Sequence, residues 1–417
     1  MKKRTYRSKE VKQINWNKLK ENLSGEKIAV AIDVAKQKQF AVLTNMDGSL
    51  SELFRWQHPE ETTQMFEAIG ALDCPITVIL ESTSTYGDIF RHQSLLRGFD
   101  VHQASAKRVH DAKEIYDGVP SLHDGKSASI IARFYLDGLT KPWRELNENE
   151  RQLNALRREY EIHQSQYQRN QNRLEAYLSR HWPEVGCLLS YDAVSLEQLL
   201  MKYGSPEEVA ADAKEAQQVI KKASRGTLKP EKIKAIVQCA KNTLGVPCIE
   251  AEKQYLQALA TEMNHSRLQR RAAKKTLEAE VDSDEQLSEM AKLIGKVTTA
   301  VFLSFHLDPR NFECGRSLQK AMGLNLKEKS SGRHIGQLKL TKRGSAKARM
   351  YLYFAALRLL QKDPVVKEWY QSKVNPKAKN KTVIAVMGKL SKALWYVAQG
   401  QVFDANKLFS VPTKKAA

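Results

Sequence analysis

Two short apolar segments, each carrying an acid at its carboxyl end, constrain the fold of the N-terminal part of this chain more than any other feature. Residues 28–34 read IAVAIDV and residues 76–81 read ITVILE. Apolar, β-branched runs of this length are typical of strands buried inside a sheet. The sequence therefore predicts two buried strands that end near Asp33 and at Glu81.

The segments around these strands predict an α/β domain. Residues 39–44 (QFAVLT) and 51–56 (SELFRW) flank the turn NMDG, which indicates a hairpin attached to the first strand. Helical patterns then alternate with the strand VHQAS, and residues 105–137 are expected to be mostly helical. This order of elements predicts a mixed sheet. Residues 1–26 are polar and are expected to form a loose basic arm.

From residue 146 the apolar pattern changes to a seven-residue repeat. Leu153, Tyr160, Tyr167 and Leu174 are spaced by seven, and Leu156, His163, Asn170 and Tyr177 occupy a second heptad position. The repeat indicates a long coiled-coil helix, with residues 250–281 as the antiparallel partner. A small helical insert is expected between them, in which Ser205 caps a helix and Pro206 takes its first position.

A compact helical region is expected from residue 287 onward. MAKLIGKVTTAVFLSF predicts two helices joined at a glycine, either as a plain hairpin or as a turn that presents N–H groups to a phosphate. ARMYLYFAALRLL and TVIAVMGKLSKALWYVAQG predict further helices.

The charge of the chain predicts a polyanionic partner. Lys and Arg number 67 against 47 Asp and Glu, a formal net charge of +20. An excess of this size in local clusters indicates DNA or RNA, with a solvated basic surface as the alternative. No apolar run is long enough for a membrane span, and the N-terminus lacks the apolar core of a signal peptide. Five scattered cysteines fit reduced thiols in the cytoplasm and argue against a zinc site.

The acids at the strand ends suggest a metal site. If the two strands are adjacent and parallel, Asp33 and Glu81 lie close together, and two carboxylates repel unless a cation lies between them. Mg²⁺ is the natural candidate because it prefers hard oxygen ligands. Two unrelated strand-end acids are the alternative. Asp117 and Asp124 are further acids, although an acid at a helix start, like Asp124, also has a structural role.

A basic segment near the C-terminus contains two adjacent serines. Residues 327–344 read KEKSSGRHIGQLKLTKRG and carry six Lys or Arg against one Glu. Ser330 and Ser331 either hold a phosphate, cap a turn or provide a nucleophile, and the segment alone is compatible with all three.

Several motifs occur in order along the chain and together resemble one family. They are AIDVAK, ESTSTYGD, the helix start D-G-K-S-A, and GL…SSG…LTKRGSAKAR. They are similar to those of the DEDD-type, RuvC-like transposases of insertion sequences, whose relatives include pilin-gene invertases and bridge-RNA-guided recombinases. The resemblance implies an α/β, RNase H-like N-terminal domain whose four acids bind Mg²⁺. It also implies a long coiled-coil insertion and a mostly helical C-terminal transposase domain with a catalytic serine.

The resemblance also implies particular residues. The first three acids correspond to Asp33, Glu81 and Asp124. The fourth is expected three residues later, where this chain has Ser127, a weak Mg²⁺ ligand. Either three acids hold the ion with extra waters, or Asp117 takes the fourth place, or the site is weakened or inactive.

The catalytic serine of the family stands immediately before a glycine, which matches Ser331 rather than Ser330. Arg333, Lys342 and Arg343 are expected to neutralise phosphate charge, with a solvated or nonspecific basic surface as the alternative. The implied domains are a basic arm (1–26), a RuvC-like catalytic domain (27–143), a helical coiled-coil region (144–286) and a C-terminal transposase domain (287–417).

These observations predict a cytoplasmic DNA recombinase of a mobile element, which cuts and rejoins strands at element ends and targets. A metal-bound acidic site and a serine nucleophile would share the chemistry. The resemblance implies a structured guide RNA and a dimer or tetramer as partners. The alternatives are a RuvC-like nuclease that uses water, and an inactive nucleic-acid-binding relic of a transposon.

Overall fold

The chain divides into two compact units, Met1–Glu145 and Leu146–Ala417. The computed structural model describes residues 6–23, 25–82, 85–328, 336 and 338–410. Each unit is considered by itself below.

The N-terminal unit is built on a seven-stranded mixed sheet. Its strands are β1 (Lys9–Glu10), β2 (Ile28–Asp33), β3 (Lys38–Asn45), β4 (Ser51–Gln57), β5 (Ile76–Glu81), β6 (Asp100–Ala104) and β7 (Lys141–Pro142). They lie in the order β1-β4-β3-β2-β5-β6-β7. β2, β5 and β6 run parallel, whereas β3 is antiparallel to both β2 and β4. The predicted mixed sheet, with a hairpin attached to the first strand, is confirmed.

Helices cover both faces of this sheet. They are α1 (Trp16–Leu23), α2 (Thr62–Gly70), α3 (Asp88–Leu96), α4 (Ala106–Asp111) and α5 (Asp124–Leu136). Alternate residues of β2 enter two different cores: Val30 packs with the aromatic cluster of one face, and Ala31 packs with α5 on the other. Side chains alternate along a strand, so Asp33 is on the same face as Ala31, the face that α5 covers.

The predicted loose arm is wrong over residues 9–23. β1 is the edge strand of the sheet and pairs with β4, with Lys9 opposite Phe54. Val11 and Leu23 are buried in the core of the N-terminal unit. Polar residues dominate this segment, and its few apolar residues are spaced so that they all reach the core while the charges stay in water.

The prediction of a mostly helical segment at 105–137 is correct only at its two ends. α4 ends at Asp111 and α5 begins at Asp124. Gly118, with a φ of 66°, and Pro120 lie between them. A left-handed glycine and a proline both interrupt a helix, so this stretch forms a loop that leads into α5.

The C-terminal unit is mostly helical. Its helices are α6 (Glu148–His181), α7 (Val185–Leu188), α8 (Val194–Tyr203), α9 (Pro206–Ala211), α10 (Ala213–Ala223), α11 (Pro230–Lys241), α12 (Glu250–Asp282), α13 (Glu285–Ile294), α14 (Lys296–Ser304), α15 (Gly315–Ala321), α16 (Ala346–Lys362), α17 (Pro364–Lys373), α18 (Lys379–Ala398) and α19 (Ala405–Leu408). Strands β8 (Leu326–Lys327) and β9 (Lys339–Leu340) form a short antiparallel ribbon. Within the described residues, no helix combines the length and apolarity that crossing a bilayer demands.

The predicted coiled coil is formed by α6 and α12. Gln152 bonds to Glu280 near one end, and Asn170 bonds to Ser266 near the middle, so the two helices are antiparallel. Helices α7 to α11 form an insert whose core packs on the distal half of this pair. Ser205 caps α9 with Pro206 at its first position, as predicted.

The glycine turn between α13 and α14 has the form of a helical hairpin. Gly295 has a φ of 86°, and an added Cβ there would lie 2.7 Å from the Arg358 guanidinium. Arg358 also donates a hydrogen bond to the Ile294 carbonyl. Because this side chain covers the turn, the structure favours the plain hairpin over a phosphate-binding turn.

Candidate active site

Two carboxylates lie side by side at the carboxyl ends of two central strands of the sheet. β2 and β5 are parallel neighbours in a register that pairs Ile32 with Leu80. The next residue on each strand is an acid, Asp33 on β2 and Glu81 on β5. Because paired residues of adjacent strands point to the same face, both carboxylates point towards α5.

Helix α5 brings a third carboxylate to these strand ends. Asp124 is its first residue, and the preceding His123 accepts a hydrogen bond from the Lys126 backbone N–H. Gly125 allows α5 to approach the sheet closely, since an added Cβ would lie 3.1 Å from the Leu53 side chain. The buried Ser127 then lies one turn further on, within hydrogen-bonding reach of Asp33.

The electrostatics of the cluster disfavour negative charge on Asp33. Burial, reinforced by the nearby charges of Glu81 and Asp124, raises the pKa of Asp33 from 3.8 to about 7. The Ser127 hydroxyl opposes this shift by donating a hydrogen bond to the Asp33 carboxylate. Burial also raises the pKa of Glu81. A bound cation would relieve this repulsion and return Asp33 to its ionised form.

The donor set of the cluster fits Mg²⁺. Three carboxylates supply hard oxygen ligands, and this ion retains several waters when protein ligands are few. In the described part of the chain, no group of three His, Cys, Asp or Glu side chains has the geometry of a formed metal site. Glu81 and Asp124 are close enough to Asp33 to raise its pKa. The three carboxylates are not arranged around a common ion position.

Arg91 supports the end of β5 and was not singled out from the sequence. It is buried, and its guanidinium donates hydrogen bonds of 2.8 Å to the Glu81 carbonyl and to the Asp88 carboxylate. The guanidinium also lies over the Trp143 ring at 5.7 Å. Arg91 therefore holds the backbone that carries Glu81. The sequence gives no sign of this role, because a hydrogen bond from a helix arginine to a strand carbonyl produces no periodic pattern of residues.

Asp117 is bonded to Lys126 of α5. Lys126 is buried, and its ammonium donates hydrogen bonds of 2.8 Å to Asp117 and 2.7 Å to the Val119 carbonyl. Tyr6 donates a further hydrogen bond to the other Asp117 oxygen. The hydrogen bond from Lys126 lowers the pKa of Asp117 to about 2. These contacts tie the loop before α5 to the helix, which favours a structural role for Asp117 over the fourth ligand place.

We expect Lys126→Met to destabilise the N-terminal unit by about 2–3 kcal/mol, because two charge-assisted hydrogen bonds in a buried position are lost. Chemical denaturation followed by circular dichroism measures the change. Lys107→Met is the matched control, since Lys107 is exposed on α4. Equal stability of the two variants would show that the hydrogen bonds between Lys126 and the loop do not stabilise the unit.

We expect Asp33→Asn to stabilise the metal-free protein at pH 8 by about 1–3 kcal/mol. The folded carboxyl keeps its proton up to about pH 7, whereas an ordinary aspartate releases it near 3.8. The folded state therefore binds more protons within this window and loses stability as the pH rises through it. The gain should accordingly disappear below pH 4, as measured by thermal denaturation in EDTA.

Asp47→Asn is the control for this measurement. Asp47 is a surface acid of the same unit, and hydrogen bonds from Ser49 lower its pKa rather than raise it. The control should therefore not stabilise the protein at pH 8. An Asp33→Asn variant less stable than the wild type at this pH would show that Asp33 is not under electrostatic strain.

The basic segment of the C-terminal unit is described only in part. Ser330, Ser331 and Arg333 lie outside the described residues, in the sequence between β8 and β9. Lys342 and Arg343 are exposed just after β9. Neither cation forms an ion pair with an acid in the described part of the chain, so both are available to a phosphate.

The base of this ribbon is tightly packed. An added Cβ at Gly344 would lie 2.1 Å from the Ala321 carbonyl oxygen. Arg349 donates hydrogen bonds of 3.0 Å to the carbonyls of Met322 and Gly344. The segment that follows β9 is thereby held against the end of α15. A glycine is required at 344 because any side chain would collide with the crossing backbone.

The acidic edge of an RNase H-like sheet, followed by a basic and mostly helical unit, defines a class of enzymes that act on nucleic acids. Residues 30–183 match the family model of the DEDD transposase of IS110 elements, described as a transposase. Residues 287–371 match the transposase IS116/IS110/IS902 family. A comparison with curated proteins finds no significant match. The chain thus carries IS110-family transposase domains and is an enzyme of DNA transposition, encoded by an insertion sequence.

The two matched segments differ in what they contain. The first covers β2 to β5 and α5, and so all three carboxylates of the cluster, and it extends along α6. The second covers the β8–β9 ribbon and the basic segment. DEDD-type transposase domains typically depend on a divalent metal ion. Residues 184–286, which hold the helical insert and α12, lie between the two matches.

Proposed function

We propose that this transposase is a recombinase that cuts and rejoins DNA at the ends of its element, using the acidic cluster and Ser331 together. The observation that carries the proposal is the convergence of Asp33, Glu81 and Asp124 at one edge of the sheet. Burial and the charges of two neighbouring carboxylates raise the pKa of Asp33, and carboxyl groups perturbed in this way are typical of functional sites. The basic charge of the chain supports DNA as the substrate.

In this proposal Asp33, Glu81 and Asp124 hold Mg²⁺ with water completing its coordination. When bound, the ion would supply Lewis-acid stabilisation of the negative charge that develops on a phosphodiester. The Ser127 hydroxyl orients the Asp33 carboxylate through their hydrogen bond. Arg91 positions the backbone of Glu81, and Lys126 fixes the loop that leads into Asp124.

Ser331 is the proposed nucleophile. Its Oγ forms a bond to phosphorus as the bond from phosphorus to one deoxyribose oxygen breaks. The serine gives up its proton to solvent, and the departing deoxyribose oxygen takes one up. The covalent protein–DNA link conserves the phosphodiester bond energy, and attack by another deoxyribose hydroxyl releases the serine and rejoins the DNA. Arg333, Lys342 and Arg343 would neutralise the phosphate during this exchange.

The other partners are part of the same proposal. A structured guide RNA and a dimeric or tetrameric assembly are proposed because the motifs resemble those of guided recombinases. The cytoplasm is the proposed compartment, and the five unpaired cysteines fit its reducing conditions.

We expect Ser127→Asp to lower the Mg²⁺ concentration required for half-maximal activity by about ten-fold, or 1.4 kcal/mol of ion affinity. The substitution would add a fourth carboxylate at the place where the family has one, and each added charge strengthens binding of a hard cation. Titration of strand cleavage with Mg²⁺ measures the effect. Ser129→Asp is the matched control, because it adds the same charge to the same helix two residues away.

An unchanged Mg²⁺ requirement in Ser127→Asp would mean that another group already fills the fourth place. The function itself is tested by trapping covalent protein–DNA adducts with labelled element ends. Adducts support the recombinase. Cleaved DNA without adducts would instead identify a nuclease that uses water, and binding without cleavage at any Mg²⁺ concentration would identify an inactive relic.

A further inference from the structure

The helical insert of the C-terminal unit carries a strongly basic corner that neither the acidic cluster nor the serine segment involves. The corner lies where α10 ends, where the chain turns, and where α11 begins. We define the α10–α11 corner by its six cations, Lys221, Lys222, Arg225, Lys229, Lys232 and Lys234. One acid, Glu231, lies among them.

The cations of the corner are exposed and unneutralised. All six side chains are exposed to solvent. None of them forms an ion pair with an acid in the described part of the chain. Elsewhere in the same unit lysines are paired with acids: Lys202 with Glu215 at 2.9 Å, and Lys253 with Glu208 at 2.9 Å. The corner therefore differs from an ordinary mixed-charge surface.

The acids of the insert are engaged away from the corner. Arg267 holds the buried Glu197, and Tyr203 donates a hydrogen bond to Asp212. Glu184 accepts hydrogen bonds from the segment that precedes α12. Glu231 is the acid of the insert without a hydrogen-bond or ion-pair partner among the described residues, so one carboxylate faces six cations.

The turn that presents these cations is internally bonded. The Gly226 N–H donates to the Lys221 carbonyl at 3.2 Å, and the Thr227 hydroxyl donates to the Ser224 carbonyl at 2.7 Å. Arg225 and Gly226 both adopt positive φ, 51° and 74°. Such a pattern closes the end of a helix and satisfies its last carbonyls. The charges are therefore attached to a fixed backbone and not to an unbonded loop.

The core of the insert fixes the orientation of the two helices. Ile220 on α10 and Ile236 on α11 are fully buried in the cluster that also contains Leu178 of α6 and Leu256 of α12. The apolar faces of both helices are thus used for packing. Their charged faces are left to solvent.

We propose that the α10–α11 corner is a docking site for the phosphate backbone of duplex DNA, separate from the catalytic residues. Charge complementarity identifies the occupant, because five lysines and one arginine face a polymer with one negative charge per ~1.7 Å of its axis. Lysine is a point charge without the fork geometry of arginine, so the contact reads the backbone and not the bases. The proposal rests on DNA as the substrate, but not on the roles of Asp33 or Ser331.

The test compares two full-length variants with the same loss of charge. The corner variant carries five substitutions, Lys221→Gln, Lys222→Gln, Arg225→Gln, Lys229→Gln and Lys232→Gln. The control variant carries Lys202→Gln, Lys253→Gln, Lys274→Gln, Lys292→Gln and Lys296→Gln, whose lysines are all ion-paired. Both change the formal net charge from +20 to +15. Duplex DNA and duplex RNA of equal length are the two probes.

The measurement is the dissociation constant as a function of salt. Each phosphate contact contributes about 0.9 to the slope of log K against log salt. We expect the corner variant to lose about 3–4 from this slope and to bind duplex DNA at least ten-fold more weakly in 0.1 M salt. The control variant should keep both values close to those of the wild type.

Other outcomes overturn the proposal in distinguishable ways. Equal losses in the two variants would show that net charge alone matters, and a loss confined to duplex RNA would exclude DNA as the occupant. Circular dichroism checks folding, and the double variant Arg225→Gln/Lys229→Gln repeats the test with a smaller expected slope change, about 2. A wild type that binds no DNA would count against the proposed function, whereas binding unaffected by either variant contradicts only the corner.

Discussion

Asp33→Ala is expected to reduce strand cleavage by about a thousand-fold or more while DNA affinity stays close to that of the wild type. A divalent ion contributes several kcal/mol of transition-state stabilisation, and each 1.36 kcal/mol is a factor of ten in rate. Asp33 is close to both Glu81 and Asp124, because the charges of both neighbours raise its pKa. Removing it should therefore remove the ion as well as one ligand.

Cleavage of labelled element ends at saturating Mg²⁺ measures the rate, and a gel-shift titration measures the affinity. Glu81→Ala should have the same effect, since the two carboxylates end adjacent strands. Asp47→Ala is the matched control, an exposed acid of the same unit that should leave the rate unchanged. Full activity in Asp33→Ala would refute the metal-site proposal, and lost DNA binding would point to misfolding.

Ser331→Ala is expected to eliminate covalent protein–DNA adducts and recombination, yet to preserve folding and DNA affinity. A turn that binds phosphate through backbone N–H groups loses little when one hydroxyl is removed. A nucleophile, by contrast, depends on its hydroxyl absolutely. Ser330→Ala is the matched control, a neighbouring serine in the same basic segment, and should retain appreciable activity.

Denaturing gels with labelled DNA resolve the adduct from free protein. Adducts that persist in Ser331→Ala but vanish in Ser330→Ala would move the nucleophile by one residue. Asp33→Ala provides a second comparison. This variant should also lack adducts, although it retains the Ser331 hydroxyl. Loss of adducts in both variants with unchanged affinity would separate the chemistry from DNA binding.

The juxtaposition of Asp33 and Glu81 was predictable because the strand signal and the chemical signal coincide. An apolar run of five residues forms a strand buried inside a sheet. The acid that follows the run lies at the carboxyl end of that strand. The register of β2 with β5 bears out the expectation that these two ends meet. Asp124 was assigned to the site from the family resemblance, because an acid at a helix start also has a purely structural explanation.

Lys126 shows where this kind of inference stops. In the sequence it is one charged residue of a helix start, and burial of a lysine is unexpected on average. It is buried because Asp117 and the Val119 carbonyl, from a loop without any pattern, satisfy its ammonium group. The contacts of the same loop favour a structural role for Asp117, a question that residue spacing alone left open.

The prediction of a loose arm was wrong over residues 9–23 for a related reason. Its polar composition predicted an arm, but Val11, Leu19 and Leu23 are enough to attach it to the core of the N-terminal unit. Composition averages over all side chains of a segment. Burial depends on which few of them face the core, and that depends on the neighbours they meet.

The local pattern of apolar residues thus determined the elements of this protein: buried strands that end in acids, and heptads that form the coiled coil of α6 and α12. The strands follow from continuous apolar runs and the coiled coil from a seven-residue repeat, and both are displayed directly by the sequence. Only the tertiary structure decided which charges are neutralised. Lys126 is paired and the α10–α11 corner is not, because the position of a charge's partner depends on how distant segments pack.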